Sequence, residues 1–123
     1  MKKNSNENVT DLTYLKQVSN GDNAFIKEMI EVYMQQTPEA ICNLEKHLKN
    51  KDWKKLQAVT HKMKPSFSFF GLTHLNTLVN DLEEYADKAI HLEMIPGMIQ
   101  KVKQTCEKAM LELAEKKKME VII

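Results

Sequence analysis

The sequence predicts an all-α protein, an up-down antiparallel four-helix bundle with a short additional N-terminal helix. Glycine and proline number only three each among 123 residues, which favours helices over strands. Apolar residues recur at helical spacing, and the short connections make consecutive helices antiparallel neighbours. We expect a disordered lead-in at 1–9, the helical bundle at 10–118, and an apolar tail at 119–123. The sequence leaves open whether this tail packs on the bundle or frays.

Helix-capping residues mark the elements of the first half. Asp11 is expected to cap the short leading helix, and Asp22 to cap the helix that follows. The run Thr37-Pro38-Glu39 predicts that a new helix starts there, since proline suits the first helical position and an acid suits the positive helix end. The apolar stripes in this half comprise Phe25, Ile26, Met29, Ile30, Tyr33, Ile41, Leu44 and Leu48.

The second half is predicted to hold three helices. Asp52 caps one that runs from Trp53 to about Phe70 and is closed by Gly71 as its C-cap. Thr73 is expected to cap the next helix, and Pro96 to open the last. The inward faces of these last two comprise Leu75, Leu78, Val79, Leu82, Tyr85, Ala86, Ile99, Val102, Cys106, Ala109, Met110 and Leu113.

Composition excludes several function classes. The 18 basic and 17 acidic residues nearly cancel, so no global field points to nucleic acid or an acidic membrane. Every basic residue is lysine, so any cation at a site is a point charge rather than a bidentate guanidinium. We find no signal peptide, membrane-spanning run, glycine-rich phosphate loop or zinc-spaced cluster, and we expect a cytoplasmic protein. Cys42 and Cys106 lie on apolar stripes and are predicted to be buried free thiols.

His61 is the candidate functional residue. On a helical wheel it lies opposite an apolar stripe, so it is predicted to face solvent. The apolar stripe consists of Leu56, Val59, Met63, Phe67 and Phe70. The side of the helix around His61 consists of Gln57, Ala58, Lys64, Pro65 and Ser68. An exposed neutral imidazole with a lysine one turn away is the arrangement that a phosphoryl acceptor requires, because the cation stabilises the developing negative charge. That Lys64 merely solvates the helix face is an equally open alternative.

The other three histidines give no comparable signal. His47 lies among surface charges, His74 follows a capping threonine, and His91 lies in a connection. A metal site would require these side chains to converge from different elements, and nothing in their spacing supports it.

The helix that carries His61 contains the motif Asp52-Trp53, Thr60-His61-Lys62-Met63-Lys64, Ser66 and Phe70-Gly71. This motif resembles that of the histidine-containing phosphotransfer (HPt) domains of two-component phosphorelays. The resemblance extends over about residues 10 to 115. The resemblance implies that His61 accepts a phosphoryl group from an aspartyl phosphate on a receiver domain and passes it to another receiver, assisted by Lys64. It implies a phosphocarrier without kinase activity, ATP or cofactor, with Mg²⁺ on the receiver. A non-catalytic adaptor that binds receivers without transfer is the alternative.

The implied partners are receiver domains of response regulators or hybrid sensor histidine kinases, bound by a monomer without nucleic acid or membrane. The residues expected to dock them surround His61: Gln57, Ala58, Lys62, Pro65, Ser68 and Phe69. Phe69 could equally be wedged at a helix junction.

Pro65 departs from the family pattern, which has glycine at this position. Three hypotheses compete: proline keeps the face low with a mild kink, it breaks the helix at Lys64, or the site has decayed into a binding surface. The first is favoured because the apolar stripe continues past Pro65.

Overall fold

The computed structural model describes residues 8–122, and this part of the chain is helical and without strands. It contains the short helix α1 and four longer helices: α1 Thr13–Val18, α2 Asn23–Lys49, α3 Trp53–Phe69, α4 Asn76–Lys88 and α5 Ile95–Lys117. Each of α3 and α5 packs against both α2 and α4, which closes the four long helices into a bundle. The predicted all-α fold class is confirmed. None of the described helices is both long and apolar enough to cross a bilayer.

Helix α2 passes through Pro38 without a break, so the predicted restart at Thr37-Pro38-Glu39 is wrong. The cap at its start is confirmed, because Asp22 Oδ1 accepts the N–H of Phe25 at 3.1 Å. A proline inside a helix costs about 3 kcal/mol. The stripe buried along the whole helix outweighs this cost, since each large apolar side chain contributes about 1.5 to 3 kcal/mol. Its buried members are Ile26, Ile30, Tyr33, Thr37, Ile41 and Leu44.

A glycine turn ends α3 and joins it to the N-terminal segment. Gly71 has φ +69°, its N–H donates to the Ser68 carbonyl at 3.3 Å, and the next N–H donates to the Phe67 carbonyl at 2.8 Å. This pair of bonds is the Schellman motif, so the predicted C-terminal glycine is confirmed. Asp11 lies directly over the turn and donates its N–H to the Phe70 carbonyl at 2.9 Å.

Two predicted caps differ from the structure. Helix α4 begins at Asn76 after a 3₁₀ turn over Thr73–Leu75, and Thr73 makes no capping bond because it lies inside that turn. Leu12 occupies the N-cap position of α1. Asp11 still holds the first turn, since its Oδ1 accepts both the N–H and the hydroxyl of Thr13, at 2.9 and 2.6 Å. Pro96 lies in the first turn of α5, as predicted.

Both ends of the described chain are bound to the bundle. The Glu112 carboxylate accepts the N–H groups of Val9 and Thr10 at 2.8 and 2.9 Å. At the other end, the Asn23 amide donates to the Glu120 carbonyl and accepts the N–H of Ile122, whose side chain is buried. The described part of the tail, up to position 122, therefore packs on the bundle. Residues 1–7 of the predicted lead-in lie outside the part of the chain that the structure describes. The limits of the predicted domains stay a prediction.

The two cysteines differ in burial. Cys106 is buried against Tyr33, and burial raises the pKa of its thiol to about 11, so it stays protonated at neutral pH. Cys42 is exposed, contrary to the prediction. The reason is the continuous α2 stripe, which brings Ile41 and Leu44 inward and leaves Cys42 beside it.

Candidate functional site

Helix α3 presents His61 to solvent by burying its opposite face. Asp52 Oδ1 accepts the N–H of Lys55 at 3.2 Å and caps the helix, as predicted. The buried residues of the stripe are Leu56, Met63, Phe67 and Phe70, with Val59 half-buried. The His61 side chain is 67% exposed as a result.

Helix α3 continues through Pro65, so the hypothesis that it breaks at Lys64 is wrong. Phe67 and Phe70 stay buried beyond the proline, which shows that the phase of the apolar stripe is kept. Pro65 itself is exposed on the solvent side of the helix. That proline keeps the face beside His61 free of a long side chain stays a prediction.

A carboxylate from α4 gathers the polar side chains around His61. Glu83 Oε2 lies 2.8 Å from Nδ1 of His61 and accepts the Gln57 amide at 2.9 Å. Its other oxygen, Oε1, accepts Lys64 Nζ at 2.8 Å. The Glu83 side chain is only 17% exposed, so this bridge joins a largely buried anion to an exposed imidazole.

The hydrogen bonds of Glu83 determine which nitrogen of His61 is free. The Lys64 ammonium, as the largest cause, lowers the pKa of Glu83 below its ordinary value, and His61 and Gln57 add to this effect against the opposing effect of burial. Glu83 is thus ionised at neutral pH, and an ionised carboxylate can only accept hydrogen bonds. Nδ1 of His61 must then carry the proton. In the neutral ring this leaves Nε2 with its lone pair available.

The sequence does not single out Glu83. Helix α4 carries four acidic residues, namely Asp81, Glu83, Glu84 and Asp87, and any of them could face α3 as far as spacing shows. The choice depends on how far α4 is shifted along α3, which is set by packing between helices. No local pattern encodes that register.

The Hpt domain family model matches residues 28–115, which is most of the chain. The chain belongs to the Hpt domain family. This Hpt chain is also 30% identical over 67 residues to the phosphorelay intermediate protein YPD1 of Candida albicans (strain SC5314 / ATCC MYA-2876). Those residues make up 54% of this chain and 36% of the relative, so the match spans about a third of that protein. No solved structure is significantly similar to the chain.

The residues predicted to dock a partner fall into two groups in this Hpt domain. Gln57 is half-buried and bound to Glu83, so it supports the polar cluster. Ala58, Lys62, Pro65 and Ser68 are exposed. Phe69 is half-buried against the core, and its ring centre lies 6.0 Å from that of Tyr14 in α1. It is therefore partly wedged at the α1–α3 junction and still borders the face that carries His61.

An open groove with a volume of about 480 Å³ runs between α2 and α3, next to this face. Its apolar lining includes Met29, Val32, Val59, Met63 and Phe69. Lys62 and Pro65, two of the predicted docking residues, also line it.

The remaining histidines of the Hpt domain, His47, His74 and His91, are not among the described hydrogen-bond partners of Glu83. His91 adopts a left-handed backbone conformation and packs its ring 4.8 Å from that of Tyr85, while His74 is exposed in the 3₁₀ turn. Within residues 8–122, no three His, Cys, Asp or Glu side chains are placed to hold a metal ion.

The ion pairs of Glu83 predict a pH-dependent stability. Glu83→Gln should lower the free energy of unfolding by about 1 kcal/mol at neutral pH, a value limited by the exposure of His61 and Lys64. Because the pKa of Glu83 is lowered in the folded state, its contribution is complete above the ordinary value of 4.5 and is lost as the pH falls through the folded value. Urea denaturation across this range measures the difference.

Glu84→Gln is the matched control, since Glu84 is exposed and its only described bond is to Lys88. We expect a change within about 0.5 kcal/mol at every pH. A gap between wild type and Glu83→Gln that stays constant into acid would contradict the assigned role of the carboxylate.

Proposed function

We propose that this Hpt domain is a phosphorelay intermediate. In this proposal His61 accepts a phosphoryl group on Nε2 from an aspartyl phosphate of a receiver domain and passes it to another receiver. The observation that supports it is the bond from Nδ1 of His61 to Glu83, which leaves Nε2 of this exposed side chain free to act as a nucleophile. The similarity to a protein named as a phosphorelay intermediate supports the same reading.

The chemistry divides between the two proteins. The Nε2 lone pair forms a bond to phosphorus while the acyl-phosphate bond breaks, and its electron pair leaves on the receiver carboxylate. Such a transfer depends on positioning and charge neutralisation more than on covalent help. On this chain, Glu83 orients the ring and Lys64 places a cation one turn away. The proposal assigns Mg²⁺ to the receiver and neither cofactor nor ATP to this chain.

The face around His61 suits an acidic partner. Lys54, Lys55 and Lys62 are exposed on α3, and Lys64 is half-buried there. Acidic groups around a receiver's aspartate would be steered toward this basic surface at low salt. The groove beside Lys62 and Pro65 offers an apolar border to the same contact. We assign the docking role to the exposed residues Ala58, Lys62, Pro65 and Ser68, together with Phe69.

The decisive experiment uses a receiver domain phosphorylated with a radioactive phosphoryl group. Incubation with the wild-type protein should produce an acid-labile label on this chain, and His61→Gln should abolish it because glutamine offers no ring nucleophile. His74→Gln, which changes an exposed histidine away from Glu83, should label like the wild type. Label that persists in His61→Gln would assign the acceptor to another residue.

The same mixtures test the adaptor alternative. An adaptor would bind the receiver equally well as wild type and as His61→Gln, and no label would be transferred to either of these two proteins. Transfer onto the wild type followed by passage to a second, unlabelled receiver supports the intermediate. Size-exclusion chromatography with light scattering tests the proposed monomer, and fractionation of cells tests the proposed cytoplasmic location.

A further inference from the structure

We infer that Glu83 keeps a proton on Nδ1 of His61 throughout the transfer, so that the phosphorylated ring is a phosphoimidazolium ready to release its phosphoryl group. This inference rests on the proposed function and deepens it. Glu83 acts here as a positioning residue, because it contacts the ring and not the phosphoryl group. The supporting observation is the 2.8 Å contact between Nδ1 and an ionised, largely buried carboxylate.

The proton balance of the forward step shows what Glu83 contributes. Nε2 supplies the electron pair of the new N–P bond while Nδ1 keeps its hydrogen, so the ring gains a positive charge. Glu83 Oε2 lies 2.8 Å from that hydrogen's nitrogen and neutralises the charge where it forms. No proton has to leave and no base is needed. Attraction to a carboxylate at this distance favours the charged ring over the neutral one.

The reverse step benefits from the same proton. When the phosphoryl group moves to a receiver, the N–P bond breaks and its electron pair returns to Nε2. If Nδ1 still carries its hydrogen, the leaving group is a neutral imidazole. If that hydrogen had been lost, the leaving group would be an imidazolide anion, which is far less stable. Retaining the proton therefore gives His61 a neutral leaving group when it donates the phosphoryl group.

The surroundings of Glu83 fix it for this purpose. Lys64 occupies Oε1, and Gln57 shares Oε2 with His61, so the carboxylate is held at both oxygens. From α3, Lys64 is bonded to the carboxylate and partly offsets its charge, while Lys54 and Lys62 lie on the same helix and are exposed to solvent. From α4, Asp87 lies one turn beyond Glu83 and is exposed. The net charge next to the ring is thus set mainly by the balance of Glu83 and Lys64.

The test begins without a receiver. Phosphoramidate phosphorylates the ¹⁵N-histidine-labelled protein, and NMR then reports whether Nδ1 of phosphorylated His61 bears a hydrogen in mildly alkaline buffer. We expect a protonated Nδ1 in the wild type and in Glu84→Gln, and an unprotonated one in Glu83→Gln. Far-UV circular dichroism verifies that the variants are folded. An unprotonated Nδ1 in the wild type, or a protonated one in Glu83→Gln, would overturn the inference.

A second arm measures transfer from each phosphorylated protein to an unphosphorylated receiver. In mildly alkaline buffer Glu83→Gln should transfer at least about tenfold more slowly than the wild type, because the hydrogen bond from the charged ring to a carboxylate is lost. In mildly acidic buffer, where solvent protonates the ring, the deficit should shrink. A deficit that is independent of pH would contradict the inference. Absence of transfer from the wild type would defeat the proposed function while leaving the NMR result standing.

Discussion

Gly71→Ala should lower the free energy of unfolding by about 3 kcal/mol, from two causes that the structure separates. A residue other than glycine at φ +69° loses about 1 to 2 kcal/mol. In addition, a Cβ at Gly71 would lie 2.5 Å from the backbone oxygen of Asp11, so either the turn or the N-terminal segment must move. The bond from Asp11 N–H to the Phe70 carbonyl opposes that movement. Urea denaturation monitored by circular dichroism measures the loss.

The other two glycines of the chain are matched controls. Gly21 has φ +73° and nothing within 4 Å of an added Cβ, so Gly21→Ala should show the backbone strain alone. Gly97 lies inside α5 with equally free space, so Gly97→Ala should stabilise the protein by about 0.5 to 1 kcal/mol. Equal losses for Gly71→Ala and Gly21→Ala would show that the contact with Asp11 has no energetic weight.

Phe67→Ala should cost about 3 to 5 kcal/mol, the range for removing a large aromatic ring from a closely packed core. Phe67 is 1% exposed and lies on the buried face of α3, opposite the face that carries His61. The lost ring leaves a cavity that the surrounding structure fills only in part. We therefore expect a large fall in thermal and urea stability, with the remaining folded protein still able to accept a phosphoryl group.

Phe25→Ala controls for the loss of an aromatic ring as such. Phe25 is 38% exposed at the start of α2, so its removal should cost about 1 kcal/mol or less. If the two variants were equally stable, Phe67 would not be the core residue that its burial indicates.

The sequence predicted the parts of the fold that depend on apolar periodicity. The stripe on α3 was sufficient to place His61 on the exposed face, and it held across Pro65. The helix-capping residues were less reliable, because they indicate only a local preference for a helix to begin or end at that position. At Thr37-Pro38-Glu39 that preference is overridden by a buried stripe extending from Ile26 to Leu44, and this also explains why Cys42 is exposed.

The candidate site was predictable only on the helix that carries it. His61 and Lys64 share a face at a spacing of three residues, which any helical wheel shows. Glu83 comes from another helix, and its approach depends on the packing register of α3 against α4. The hydrogen bonds between the Asn23 side chain and the tail were not predicted for the same reason, since the partners of Asn23 lie nearly a hundred positions away in the sequence.

Because Glu83 reaches His61 from α4, transferring the His61–Lys64 motif alone to another protein would not transfer the complete site. A protein engineer who grafted the α3 sequence onto another helical scaffold would transfer the nucleophile and the lysine but not the carboxylate that selects the tautomer. The smallest segment that carries the whole cluster is the hairpin of α3 and α4, residues 53–88, with Gly71 at its turn. Grafting would have to preserve the interhelical register as well as the sequence.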